Sequence, residues 1–215
     1  DKTFTCTLFL SSKGEISFDR LKTENDVVIF FNKYFSDLID LLDDFPNSFF
    51  YNPTSNLGSV KTKNWHYKNK FCVIGDAAHA IVPFFGQGMN ASFEDCSIMM
   101  KYYEKFNCNW DTTIKKFCND RFKDTNAISQ MALDNYLEMR NFVSKQQYNK
   151  RKKISDFLYK NFSNYFIPKY NMVSFTSIPY SEVYEKSLIQ EQILNELEDD
   201  FSIEKAENVV FKYLK

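Results

Sequence analysis

Glycine and proline are scarce in this 215-residue chain, five of each, and histidine and tryptophan are scarcer still at two apiece. Backbone excursions are therefore confined to few places, because glycine is the residue that reaches positive φ without steric cost. Two histidines and five cysteines (Cys6, Cys72, Cys96, Cys108 and Cys118), with no Cys-x-x-Cys pair, offer no zinc-ligand spacing, so no metal site is expected. The odd, scattered cysteine set fits a reduced compartment. An excess of one charge is missing too: 27 basic and 28 acidic residues leave a formal net charge of -1. Such a balance gives no field for recruiting nucleic acid or an anionic membrane surface. No apolar run approaches the ~18 residues of a membrane-spanning helix, and no secretory leader opens the chain. A cytoplasmic protein without a nucleic-acid partner is expected.

What is present is apolar and aromatic. Hydrophobic residues make up 44% of the chain, enough for a packed core and too many for disorder. The first residue is Asp1, and the alternation of Phe4, Cys6, Leu8 and Leu10 predicts a strand over Lys2 to Leu10, so the chain is expected to start inside a larger protein. Thr23 with Glu24 and Asp26 reads as a helix start, followed by Val27, Phe30, Phe31 and Tyr34 at helical spacing; Leu38, Leu41 and Leu42 suggest a short second helix. Leu57 to Thr62 reads as another strand, and His66 as a packed or surface histidine.

Three of the five glycines and one of the histidines fall between Phe71 and Cys96. The apolar run Phe71 to Ile74 predicts a buried strand that ends in Gly75-Asp76. Gly86-Gln87-Gly88-Met89-Asn90-Ala91 formally fits G-x-G-x-x-A and opens a helix in which Met89, Phe93, Cys96, Met100 and Tyr103 recur three or four apart. As a dinucleotide fingerprint it is misplaced, because the glycines belong directly after the strand and here ten residues, Asp76 to Phe85, intervene. A helix N-terminus facing an electron-rich ring remains consistent with the pattern, with Asp76 placed to accept hydrogen bonds from sugar-like hydroxyls and Pro83-Phe84-Phe85 offering a rigid apolar surface.

Further helices are predicted at Asp111 to Asn119 and from near Asp124. On the latter, Ile128, Met131, Ala132, Met139 and Phe142 lie within about 60° of Asn135, which puts an amide inside an apolar stripe with Glu138 at its edge. Periodicity favours a structural hydrogen-bonding role for Asn135 and Glu138 over a ligand role. A charged helix follows over Gln146 to Phe162, Met172 to Ile178 reads as extended, and Glu182 to Lys215 as a helical, solvated tail.

Gly75-Asp76-Ala77-Ala78-His79, then Pro83, then Gly86-Gln87-Gly88-Met89-Asn90 resembles the second flavin-binding motif of the flavoprotein aromatic hydroxylases. The run on to Phe93-Glu94-Asp95-Cys96 is similar, within them, to the kynurenine 3-monooxygenase family, as are Phe4 to Phe9, Asn135 to Arg140, and Phe166-Ile167-Pro168 with Tyr170, Met172 and Val173. The resemblance implies an α/β fold, the α+β portion of an FAD/NAD(P)-binding Rossmann-like hydroxylase, made of substrate-domain strands and a C-terminal helical region. Residues 1–70 would belong to the substrate-binding domain, 71–106 to the flavin motif and its helix, 107–180 to helices lining the substrate pocket, and 181–215 to a charged tail. It also implies FAD, with NADPH as reductant and dioxygen as oxidant, and L-kynurenine as the substrate hydroxylated beside its amino group. No side chain would be catalytic in its own right, since the flavin does the chemistry.

By motif, Asp76, Pro83, Gly86, Gln87, Gly88, Met89 and Asn90 would hold FAD. Phe84 and Phe85 would border flavin and substrate, and Asn135, Glu138, Met139 and Tyr170 would line the substrate pocket, which moves Asn135 and Glu138 toward ligand binding. The family's pyrophosphate turn and the arginine and tyrosine that bind the substrate carboxylate have no counterpart in the chain. It therefore reads as the C-terminal portion, inactive without an N-terminal FAD-binding partner. Eukaryotic members carry a C-terminal membrane anchor, for which the charged helix after Tyr180 is no substitute; a eukaryotic source would make the mitochondrial outer membrane the alternative location. The competing reading is a catalytically silent interaction or regulatory remnant of the fold, which has no need to keep glycines that cost backbone entropy.

Overall fold

The computed structural model describes residues 4–142 and 146–214, and the side chains of all of these except 141, 142, 146 and 147. The chain divides into two units, residues 1–56 and 57–215.

In the first unit, helix α1 (Glu24–Tyr34) starts where the sequence predicts. The Thr23 hydroxyl accepts from the Asp26 N–H at 3.2 Å while the Asp26 carboxylate accepts from the Thr23 N–H at 2.9 Å, a reciprocal cap. Val27 and Phe31 turn inward with Leu21, and Phe30, Phe35, Phe45 and Phe49 pack around them. The second predicted helix is a single 3-10 turn, Ile39–Leu41, and a short helix α2 (Asn47–Tyr51) follows. The strand expected over Lys2 to Leu10 does not form among the described residues: Phe4 is fully exposed, and one bridge between Ser11 and Ser17 is the nearest to a ladder. Alternation supplies a face, but a ladder needs a partner strand, and none is available here.

The second unit is helical apart from one hairpin. Strand β1 (His66–Tyr67) pairs antiparallel with β2 (Phe71–Cys72) in the register His66 to Cys72 and Tyr67 to Phe71. The expected strand at Phe71 to Ile74 is thus half as long as predicted, and Phe71 is exposed. The α/β expectation meets a mainly helical protein with this two-stranded sheet; no parallel sheet lies among the described residues. Leu57 to Thr62 is extended without being a strand. It bonds instead to the short helix α3 (Asp76–His79) and its exit, Val60 N–H to the Ala80 carbonyl and Thr62 N–H to the Ala78 carbonyl, both at 2.9 Å, and a helical neighbour cannot continue a ladder.

Helix α4 (Gly88–Lys105) begins as predicted. Asp111 to Phe142, predicted as two helices, is part of one 33-residue helix, α5 (Trp110–Phe142), because Arg121 at the expected break is anchored in the core. Phe142 of the predicted stripe has its side chain outside the described residues. Helix α6 (Gln146–Asn161) is as expected; α7 (Lys169–Phe175) replaces the extended segment, entered at Pro168 and burying Met172 and Val173. Helices α8 (Tyr180–Glu198) and α9 (Ile203–Leu214) occupy the predicted tail, which is no solvated appendage. Ile193, Leu197, Ala206 and Val210 pack with Ile154, Leu158 and Phe166 into a core of their own. Val183 of α8 joins Ile128, Met131 and Ala132 of α5 in a second core that also holds Val82, Phe85, Met172 and Val173. That second core carries the turn described next.

Candidate functional site

The glycine-rich stretch folds as β2, a sharp bend at Gly75, α3, a 3-10 turn Pro83–Phe85, a left-handed residue at Gly86, and then α4. Gly75 has φ 59° and ψ -142°, and a Cβ there would meet Ser92 Oγ at 3.1 Å, so both conformation and space demand glycine. Gly86 also has positive φ, 65°, but nothing lies within 4 Å of where its Cβ would be. Asp76, first residue of α3, is exposed, as are Pro83, Gly86, Met89 and Asn90. No side chain caps α4, which leaves the N–H groups of its first turn without a side-chain acceptor.

A buried charge network fixes this bend from behind. Asp95, on the inner face of α4, accepts from the Gly75 N–H at 2.9 Å and lies 2.6 Å from His79 Nε2 through the same oxygen, while its other oxygen accepts from Arg121 Nε at 2.9 Å. Asp95, His79 and Arg121 are all buried. Burial pushes the Asp95 carboxyl up, but the His79 and Gly75 hydrogen bonds and the neighbouring His79 and Arg121 outweigh it and hold it below the usual carboxylate range. Arg121 reaches on to Glu94 at 2.9 Å, Asp124 at 3.4 Å and the Ala91 carbonyl at 3.3 Å. Asp124 in turn accepts from the Ser181 N–H and hydroxyl at the start of α8, at 3.0 and 2.6 Å. The His79 ring lies against Trp65, 5.1 Å between centroids, and its Nδ1 is buried without a partner among the described residues.

The other side of the bend is aromatic. The Phe85 ring stacks on Tyr170 at 5.8 Å, and the Phe84 ring lies tilted against Tyr136 at 4.7 Å. Asn135 Nδ2 donates to the Phe84 carbonyl at 2.7 Å and lies 3.9 Å from Met139 Sδ. Thus the structure brings Phe84, Phe85, Asn135, Met139 and Tyr170 around one turn. Glu138 is half-buried on α5 and has no hydrogen-bond or ion-pair partner among the described residues. Gln87 does not face outward with its neighbours: its buried Oε1 accepts from Asn90 Nδ2 and the Tyr180 hydroxyl, both at 3.1 Å. Burial, then Glu94, pushes the Tyr180 phenol up to about 12, so it is the donor in that bond.

Asp95, Arg121 and Asp124 escaped the reading by residue chemistry. A signal was available: Ala91 and Asp95, four apart, make the buried face of α4, while the apolar series Met89, Phe93, Cys96 and Met100 faces out, Met89 at 68% and Phe93 at 65% exposure. Among the described residues no group of histidine, cysteine and acidic side chains could hold a metal ion, and no helix is long and apolar enough to cross a membrane.

A family model described as an FAD binding domain matches residues 43–102, which contain the bend, the exposed Asp76 and the uncapped start of α4. Kynurenine 3-monooxygenase of Cytophaga hutchinsonii is 44% identical over 92% of this chain and 44% of that protein. The proteins of the same name from Dictyostelium discoideum and Sus scrofa are 40% and 39% identical, over 100% and 91% of this chain and 51% and 41% of their own length. The chain belongs to the flavoprotein hydroxylase family. It spans about half the length of these relatives. FAD, reduced by NADPH, is the cofactor of that family, and the residues present fit it. The exposed carboxylate of Asp76, the open space at Gly86 and the uncapped N–H groups of α4 lie on one short stretch.

Proposed function

We propose that this chain supplies the flavin-ring and substrate side of an FAD-dependent kynurenine 3-monooxygenase, which converts L-kynurenine to 3-hydroxykynurenine with NADPH and dioxygen. The observation that carries this reading is the convergence of Phe84, Phe85, Asn135, Met139 and Tyr170 on the turn that leads into the uncapped start of α4. FAD supplies the redox chemistry that activates dioxygen. The protein's part is to bind, orient and exclude water. Asp76 would accept hydrogen bonds from the ribityl hydroxyls, and the uncapped N–H groups of Met89 and Asn90 would hold the carbonyl edge of the ring. Asn135 spends its amide N–H on the Phe84 carbonyl, which leaves its Oδ1 to accept from the ammonium end of the substrate. Tyr170, 54% exposed, offers its hydroxyl to the same end, and Glu138 and Met139 close the pocket beside it.

The rest of the Rossmann-like cofactor domain, with its pyrophosphate turn, belongs to an N-terminal portion that packs on the outward apolar stripe of α4. That stripe, Met89, Phe93, Cys96 and Met100, supports a covered face in the whole enzyme. Alone, the chain is expected neither to retain FAD nor to turn over. The test is to combine it with the complementary portion and look for a yellow complex whose NADPH oxidation rises with L-kynurenine. A colourless mixture indifferent to that substrate would refute the hydroxylase reading and leave a silent remnant of the fold.

A further inference from the structure

Cys72, on β2, and Cys118, on α5, are 46 residues apart in sequence and place their sulfurs 3.6 Å from each other. They are the pair in contact among five free thiols, of which Cys6, Cys96 and Cys108 are exposed. Cys118 also lines an open cleft of about 370 Å³ between the segment Lys63 to His66 and α5, which brings small solutes up to the Cys118 side of the pair. Lys63 and Lys115 border that cleft and favour an approaching anion or a polarised peroxide. Closing the gap to the ~2.05 Å of a disulfide requires ~1.5 Å of movement, which side-chain rotation on a two-residue strand can supply.

We propose that Cys72 and Cys118 form a reversible disulfide under attack by hydrogen peroxide, a modification site in the run that leads into Gly75-Asp76. Cys72 is half-buried and Cys118 buried, so Cys72 is the thiol that meets peroxide and Cys118 the resolving thiol; the hydrogen bond the two sulfurs share holds the Cys72 thiol below its ordinary pKa. The Cys72 thiolate attacks one peroxide oxygen; the O–O bond breaks, hydroxide leaves, and the sulfur is oxidised by two electrons to sulfenic acid. Cys118 sulfur then attacks that sulfur. An S–S bond forms, the S–O bond breaks, and the thiol proton departs with the hydroxyl as water. The bond ties the backbone three residues before Gly75 to α5. A dithiol reductant reverses it. The proposal is independent of the reaction assigned above.

Peptide mapping of the intact chain after brief hydrogen peroxide treatment and alkylation tests it. The expected product links the Cys72 peptide to the Cys118 peptide, with loss of two of the five thiols that dithiothreitol restores. In Cys118→Ser the cross-link disappears and dimedone labels Cys72. Alkylation of both Cys72 and Cys118 in the wild-type chain, while Cys6, Cys96 and Cys108 take the oxidation, would overturn the proposal, and that result does not depend on how any variant folds.

Discussion

Gly75→Ala and Gly86→Ala add the same methyl group to two left-handed positions with different outcomes. At Gly75 the substitution meets Ser92 Oγ at 3.1 Å and a backbone conformation that side chains avoid, so it should cost about 2–3 kcal/mol. At Gly86 the space is open and only the left-handed cost of about 1 kcal/mol applies. Denaturant unfolding of the two variants gives the difference, and equal losses would contradict this account. Asp95 is the other decisive residue. Removing it as Asp95→Ala takes the buried acceptor from Arg121 Nε, His79 and the Gly75 N–H together, a loss of about 3 kcal/mol in the same measurement. Its native pKa is depressed, so its contribution is complete above the ordinary carboxylate value of ~3.9 and is lost as pH falls through the lower native value. Asp95→Asn should therefore flatten that part of the acid-unfolding curve, and an unchanged curve would show that the carboxylate charge does not matter there.

Among the elements, α5 and α8 differ most from their sequence patterns. The sequence pattern ends one helix at Asn119 and starts the next near Asp124, yet Tyr102 donates to Asp120 at 2.6 Å and Arg121 fills a buried ion-pair site, and these contacts outweigh weak local propensity. The acidic residues of α8 made it look solvated, although its heptad-like spacing hides Ile193 and Leu197 against α6 and α9. Leu197→Ala should then cost about 2–5 kcal/mol, read as a lowered midpoint in thermal or denaturant unfolding. A change under about 0.5 kcal/mol, as for a surface position, would mean that α8 and α9 do not share that core.

For the molecule as a whole, the outward stripe of α4 and the aromatic turn make separate predictions. Phe93→Asp should leave the stability of the isolated chain within about 0.5 kcal/mol, since the side chain is exposed, but abolish assembly with the complementary portion on a sizing column. Tyr170→Phe and Asn135→Ala in the assembled enzyme should raise the KM for L-kynurenine several-fold, about 1 kcal/mol each, with flavin content unchanged. Loss of flavin instead would move these residues to the cofactor side. The sequence by itself determined what depends on neighbours along the chain: the capped start of α1, the glycines of the bend, the onset of α4, and, through its motif, the family. It could not determine which face of α4 is buried, because an apolar stripe and an Ala91-Asp95 stripe are both helical and only packing chooses between them. Nor could it join Asp95 to His79 and Arg121, or turn Gln87 inward and bind Asn135 to the Phe84 carbonyl. Those are long-range hydrogen bonds, and their partners exist only once α4, α5 and α8 are packed around the turn.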